Sequence, residues 1–203
     1  MRTASMATAK QSAGDRGATI ATGPNHEDGF MPYARDPKTL ARPWAIPGTP
    51  GLTHRIGGLE KEDVTGDISY DGANHARMTK IRDCKVAGIA AYLPQLEVDE
   101  DPGAELLVLG WGSSRGAIRA AARRVRASGH VVAVAHLHHL NPLPTNVGEL
   151  LRRYDRVLVP EMNTGQLAQI LRAKFLVDVE SYCKLEGKPL FAAELERELM
   201  ERL

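Results

Sequence analysis

Residues 104–203 predict a three-layer α/β/α fold on a mostly parallel sheet. Two observations carry that expectation. Short apolar runs alternate with amphipathic helical stretches, the spacing of right-handed βαβ crossovers. The runs are also nearly continuous in Leu, Val and Ala, as strands are when both sheet faces are covered.

Leu106-Leu107-Val108-Leu109, ending at Gly110, reads as the first buried strand. Ile118, Ala121, Ala122 and Val125 then give the i, i+3, i+4, i+7 stripe of a helix. Its other face carries Arg115, Arg119, Arg123 and Arg126, which reads as a solvated surface, and Gly129 stands where a left-handed cap is expected. Val131 to Leu137 is the second strand. Asn146 opens a short helix with Val147, Leu150, Leu151 and Tyr154 inward, and Asn146 and Glu149 have capping-box spacing. Residues 156–160 form the third strand. Asn163 and Gln166 repeat the capping spacing before a helix that buries Leu167, Ile170, Leu171 and Phe175. Leu176 to Cys183 alternates as a fourth strand, and Ala192, Leu195, Leu199 and Leu203 share one side of a last helix.

Three segments precede this domain. Residues 1–24 are rich in small residues without an apolar centre, so they read as a disordered or non-native leader rather than a secretory signal. Residues 25–72 are rich in Pro and Gly, including Arg42-Pro43-Trp44-Ala45-Ile46-Pro47-Gly48-Thr49-Pro50-Gly51. Prolines fix φ and remove donors, so an extended, turn-rich arm without its own core is expected, lying on another surface. Residues 73–103 are helix and linker. The helix should run from about Gly72 to Tyr92, with Met78, Ile81, Cys84 and Ile89 on an imperfect apolar face and Leu93-Pro94 ending it.

The net charge of +1 supplies no global field toward nucleic acid, and no apolar run reaches membrane-span length. Cys84 and Cys183 lie outside any C-x-x-C motif and read as reduced thiols of a cytoplasmic protein. Two cysteines alone cannot hold a four-cysteine zinc or iron–sulfur site.

Three loops fall at the carboxyl edge of the predicted sheet, the usual ligand-facing edge: Gly110–Ser114, His138–Pro144 and Pro160–Gly165. The first, Gly110-Trp111-Gly112-Ser113-Ser114-Arg115-Gly116, is one residue too long for a dinucleotide fingerprint, and the second strand ends in His136-Leu137-His138 rather than an acid. An anion at this helix N-terminus remains physically reasonable. Gly112-Ser113-Ser114-Arg115-Gly116 also fits G-x-S-x-G, but no histidine follows His139 to complete a triad, so Ser113 or Ser114 reads as a helix cap. His136 and His138 share a strand face, but a catalytic zinc would need a third protein ligand. Glu161 reads as a solvated acid favouring a helix dipole, or less simply as an acid or base. From the residues alone, the candidates for interface or site-adjacent roles are Trp111, Ser113, Asn141, Pro142, Glu161, Asn163 and Gln166, all on loops at one sheet edge. They make no complete catalytic set.

Several stretches in order resemble the alpha subunits of 2-oxoacid:ferredoxin oxidoreductases, most closely the 2-oxoglutarate type. They include Phe30-Met31-Pro32-Tyr33-Ala34-Arg35-Asp36, Trp44-Ala45-Ile46-Pro47-Gly48-Thr49-Pro50-Gly51, His54-Arg55-Ile56-Gly57-Gly58-Leu59-Glu60 and Gly66-Asp67-Ile68-Ser69-Tyr70. Further on come Gly110-Trp111-Gly112-Ser113, Leu140-Asn141-Pro142-Leu143-Pro144 and Val159-Pro160-Glu161-Met162-Asn163-Thr164-Gly165-Gln166. The resemblance implies a transketolase C-terminal-domain-like fold with a five-stranded mixed sheet. It also implies a place in an assembly that oxidatively decarboxylates a 2-oxoacid to an acyl-CoA and reduces ferredoxin.

Thiamine diphosphate, magnesium and an iron–sulfur cluster are implied for that assembly, held by other parts; no cofactor-binding, metal or catalytic residue carries over to this chain. The implied partners are the beta subunit, the remaining alpha or gamma domains and, indirectly, ferredoxin, with no nucleic acid or membrane. The chain is expected to be a split or truncated alpha subunit, inactive alone. The alternative is a stand-alone α/β module that binds an anion or nucleotide through the Gly110–Ser114 loop.

Overall fold

The computed structural model describes residues 20–99 and 102–203, so the leader expected over 1–24 lies largely outside the described residues. The chain divides into two compact units, Met1–Ile89 and Ala90–Leu203.

In the first unit, two short strands, β1 (Ile20–Ala21) and β2 (Trp44–Ala45), pair in parallel. The Pro/Gly-rich stretch is largely irregular, as its prolines require, but it is folded back on itself rather than simply extended. Isolated bridges join Tyr33 to Val64 and Lys61 to Ile68. Arg35 and Asp63 form an ion pair at 2.6 Å with side chains only 9 % and 14 % exposed. Arg35 and Arg42 both lie over the Tyr33 ring. Gly66, at φ +75°, sits where a Cβ would come within 2.8 Å of both Pro32 and Tyr33, so the fold-back needs glycine there.

Helix α1 (Gly72–Gly88) follows, with Asp71 accepting from the amides of Ala73 and Asn74. The expected end at Tyr92 is reached through a 3₁₀ turn, Ile89–Tyr92. Of the apolar face expected for this helix only Met78 is buried; Cys84 and Ile89 are exposed. Asn74 ties α1 back to the preceding loop, accepting from the Asp63 amide and donating to the Lys61 carbonyl.

The second unit holds a five-stranded sheet in the order β3-β5-β4-β6-β7. These are β3 (Val98–Asp99), β4 (Leu106–Trp111), β5 (Ala133–Leu137), β6 (Arg156–Glu161) and β7 (Val179–Cys183). All neighbours are parallel except β3, which runs antiparallel on the edge with Val98 opposite Ala135. This is the mixed sheet that the family resemblance implies. Helices α2 (Arg115–Ala127) and α5 (Ala192–Met200) contribute to the core on one face, with Leu106, Val108, Val134 and Leu158 beneath. Helices α3 (Val147–Leu151) and α4 (Gln166–Phe175) cover the other, over Leu107, Leu109, Val157, Val159 and Val179. Both faces are buried, which is why the strands carry continuous apolar runs.

Three local expectations fail, one of them at Ile170, which is 52 % exposed rather than buried. Asn146 makes no capping bond to α3; its amide instead pairs with Leu96, donating to the carbonyl and accepting from the amide, each at 2.9 Å. A pair of bonds to the Leu96 backbone outcompetes one bond to a short helix. Leu176 does not begin the last strand: it ends α4 in the left-handed region at φ +54° and is 90 % exposed.

Candidate functional site at the carboxyl edge of the sheet

The chain leaves β4 for α2 on one face and leaves β6 for α4 on the other. Neighbouring strands whose crossovers diverge in this way mark a topological switch point, where open α/β sheets bind ligands. The loops after β4 and β6 flank it. Trp111 ends β4 and Glu161 ends β6. The candidates Trp111, Ser113, Glu161, Asn163 and Gln166 therefore gather at one place in the sheet. Asn141 and Pro142 belong to the loop after β5, where Asn141 is exposed, Pro142 is buried and the bond between them is cis.

The local chemistry of these residues is mostly structural. Trp111 is half-buried and packs against the core on the α3/α4 side. Ser113 is exposed. Ser114, not Ser113, makes the cap-like contacts: its Oγ accepts from the Trp111 amide at 3.1 Å and donates to the Trp111 carbonyl at 2.7 Å. Those bonds hold the 3₁₀ turn Gly112–Ser114 that starts α2. Gly112 takes φ +58°, which glycine adopts without a Cβ penalty.

Glu161 is not solvated. It is 1 % exposed, and its two oxygens accept from the amides of Leu167 at 2.9 Å and Ala168 at 3.1 Å. The carboxylate thus satisfies free donors of the first turn of α4 and neutralises the positive end of that helix. Asn163 Oδ1 adds bonds to the amides of Gly165 and Gln166, both at 2.9 Å. Gln166 is exposed. Between them Glu161 and Asn163 accept from four successive backbone amides.

A cleft of about 540 Å³ opens beside the switch point, on the β5 side. Pro94–Asp99, α2 through Arg115, Ile118 and Arg119, and the end of β5 through His136, His138 and His139 line it. Much of its lining is apolar, and the ionisable groups on it are Arg115 and Arg119, Glu97 and Asp99, and the three histidines. His136 and His138 meet edge to face with ring centroids 5.3 Å apart. Burial, then the nearby His138 ring and Arg115 guanidinium, hold His136 below the usual imidazole range, against a hydrogen bond to the Gly112 backbone that works the other way. A Cβ at Gly110 would stand 2.5 Å from Ile118 Cδ1 and 3.0 Å from His136 Nδ1, so a larger residue there would displace those side chains.

Arg115, Arg119 and the 94–99 segment are absent from the sequence-derived candidates. Hydrophobic periodicity assigns the arginines to a solvent face, and nothing local signals that residues 94–99 fold back over them.

Among the described residues, the set of side chains with metal-ligand spacing is His26, Glu27 and Asp28, all exposed, and it does not include the cleft histidines. Cys84 and Cys183 are exposed thiols in different units. Among the described residues these two cysteines are too few for a four-cysteine iron–sulfur cluster.

Residues 104–190 match the family model for the pyruvate:ferredoxin oxidoreductase core domain II. Over 169 residues the chain is 57 % identical to the 2-oxoglutarate oxidoreductase subunit KorA of Mycobacterium tuberculosis, an alignment covering 83 % of this chain and 26 % of that protein. Each of these likenesses is to one part of a 2-oxoacid oxidoreductase. The alpha subunit of 2-oxoacid:ferredoxin oxidoreductase 1 from Aeropyrum pernix is 31 % identical over 189 residues, covering 89 % of this chain and 29 % of its own. The 2-oxoglutarate:ferredoxin oxidoreductase of Magnetococcus marinus, solved with 2-oxoglutarate, coenzyme A and succinyl-CoA bound, superposes with a TM-score of 0.78 at 27 % identity. That match covers 90 % of this chain and 32 % of the solved one. The chain thus spans about a quarter to a third of the length of these oxidoreductase chains. No described helix is long and apolar enough to cross a membrane.

Proposed function

We propose that this chain supplies the C-terminal α/β part of the alpha subunit of a 2-oxoglutarate-type 2-oxoacid:ferredoxin oxidoreductase. The observation that carries the reading is the 57 % identity to a 2-oxoglutarate oxidoreductase subunit, sustained over 83 % of the chain. In this reading the assembly decarboxylates 2-oxoglutarate oxidatively to succinyl-CoA and passes electrons to ferredoxin in the cytoplasm. Thiamine diphosphate supplies the carbanion chemistry when bound, with magnesium and an iron–sulfur cluster, all held by other parts of the enzyme.

The chain's own role is assembly. The first unit exposes Trp44, Ile46, Ile56 and Tyr70 at 68 %, 56 %, 84 % and 89 %. Large apolar side chains left so open favour a surface that another protein covers. We assign that cover to the beta subunit and the remaining alpha or gamma domains. The switch-point loops, stiffened by Glu161, Asn163 and Ser114, serve as a rigid edge for neighbours that carry the reacting groups.

The test mixes the purified chain with purified beta subunit, thiamine diphosphate, coenzyme A and 2-oxoglutarate, and reads viologen reduction. The expected result is no turnover until the remaining alpha-subunit domains are added. Turnover with the beta subunit alone would contradict the assignment of the catalytic groups to other parts.

A further inference from the structure

We infer that the cleft between α2, the end of β5 and the 94–99 segment is a binding site for a small molecule bearing a compact multivalent anion, a diphosphate or a di- or tricarboxylate. Arg115 and Arg119 are one helical turn apart and both line the cleft. No ion pair or side-chain hydrogen bond engages either guanidinium among the described residues. Two like charges at i, i+4 oppose each other on the free helix, so an anion placed between them relieves a standing repulsion. A ligand with two anionic groups matches the pair, because each guanidinium fork takes one carboxylate or phosphoryl group.

The opposite wall supplies His136, His138 and His139, three imidazoles that add donors when protonated. Two carboxylates, Glu97 and Asp99, face the same space. Asp99 is already engaged by Arg126 at 3.2 Å, which also donates to the Asp99 and Val132 carbonyls. Glu97 is left against two arginines and three histidines. The cleft volume of about 540 Å³ lies in the range of small-molecule sites.

The same cluster makes binding pH-dependent. Burial, His138 and Arg115 depress the His136 pKa in the free protein. A bound anion reverses the sign of the local field and restores the proton, so complex formation takes up protons. Affinity therefore rises as pH falls through the imidazole range.

The test titrates the full chain with pyrophosphate and, separately, citrate, by calorimetry at about pH 8 and about pH 6. The expected result is saturable one-site binding of one of them, tighter at the lower pH. Tighter pyrophosphate assigns a phosphorylated ligand, and tighter citrate a polycarboxylate. In R115Q/R119Q the affinity drops by about tenfold or more. Circular dichroism of that variant should be unchanged, because both arginines are exposed.

Side-chain NMR of the unsubstituted chain gives an independent reading: the His136, His138 and His139 resonances should shift on titration. Absence of saturable binding of both anions, or histidine resonances that do not move, would overturn the inference. Binding unchanged in the double variant would do the same. The inference does not depend on the proposed assembly role, so a chain that fails to join the oxidoreductase would leave this result intact.

Discussion

Asn146 grips Leu96 by both backbone groups, its Nδ2 donating to the Leu96 carbonyl and its Oδ1 accepting from the Leu96 amide, each at 2.9 Å. The two residues are 50 positions apart, and the pair fixes the segment that leads into the edge strand β3. Leu96 itself is 8 % exposed, so removing the amide would strand buried polar groups. Asn146→Ala should cost about 1–3 kcal/mol. For a chain of this size each kcal/mol lowers Tm by about 2–4 °C. Thermal and urea unfolding would measure it, with the m-value unchanged. A loss below a few tenths of a kcal/mol would mean that water satisfies Leu96 as well as Asn146 does.

Glu161 gives a second stability prediction. Glu161→Gln keeps the shape and one acceptor oxygen but aims an amide donor at a backbone amide and removes the charge that offsets the helix dipole. The loss should be about 1–3 kcal/mol. Glu161→Ala should lose at least as much, since both donors are then unpaired in a buried space. Urea midpoints of the two variants decide the point, and a solvated, dispensable acid would leave them unmoved.

Gly148 predicts an overpacking effect. It lies in α3, where a Cβ would approach the Phe175 ring to 2.5 Å at Cδ1 and 2.8 Å at Cε1. Alanine has the better helix propensity, by about 0.8–1.0 kcal/mol. The ring and its helix must move to admit it, which costs about 1–3 kcal/mol. Gly148→Ala should therefore be net destabilising, and thermal unfolding that shows a raised Tm would contradict the packing.

Acid sensitivity should centre on Glu180. Arg156 donates to its Oε1 from Nε at 3.0 Å and from Nη2 at 2.9 Å, and Arg202 donates to Oε2 at 3.1 Å. Burial alone would raise this carboxyl; the two guanidinium groups outweigh it and hold it below the usual carboxylate range. A group whose folded value is depressed contributes stability that is fully present above its unfolded value. That contribution is lost as pH falls through the lower folded value. Unfolding midpoints should thus decline below the ordinary glutamate range, and Glu180→Gln should flatten part of that decline. An unchanged acid slope in the variant would mean that the partly exposed ions are screened and contribute little.

The parts of this fold visible in the sequence are those written in local apolar pattern. The runs at 106–109 and 156–160 and the stripe Ile118, Ala121, Ala122, Val125 suffice to place β4, β6 and α2, because burial on both sheet faces leaves few alternatives for such residues. Asn163 lies two residues before the cap Gly165 rather than at it, and bonds the amides of Gly165 and Gln166 instead of the third helical residue. Strand β3 is two residues long, in the acidic stretch 97–101, and pairs through its backbone, so no side-chain pattern announces it. Leu176 and Val177 resemble the start of β7 because a left-handed helix end leaves the same apolar letters as a strand. Asn146 and Glu161 carry capping signals, but Asn146 pairs with Leu96 instead and Glu161 caps α4 from inside the core.

The cleft was invisible for a related reason. Its residues come from 94–99, 115–119 and 134–144, and only the crossover from β4 to β5 and the antiparallel edge strand bring them together. A row of arginines at helical spacing on a polar face carries no mark of what the chain will fold beside it.

The most direct test of the assembly role is capture of the tagged chain from its own cells under native conditions, followed by native mass spectrometry and an assay of the eluate. The account predicts co-purification with a beta subunit and the remaining alpha or gamma domains, and 2-oxoglutarate- and coenzyme A-dependent viologen reduction by that complex. A chain recovered alone, or in a complex without that activity, would contradict it.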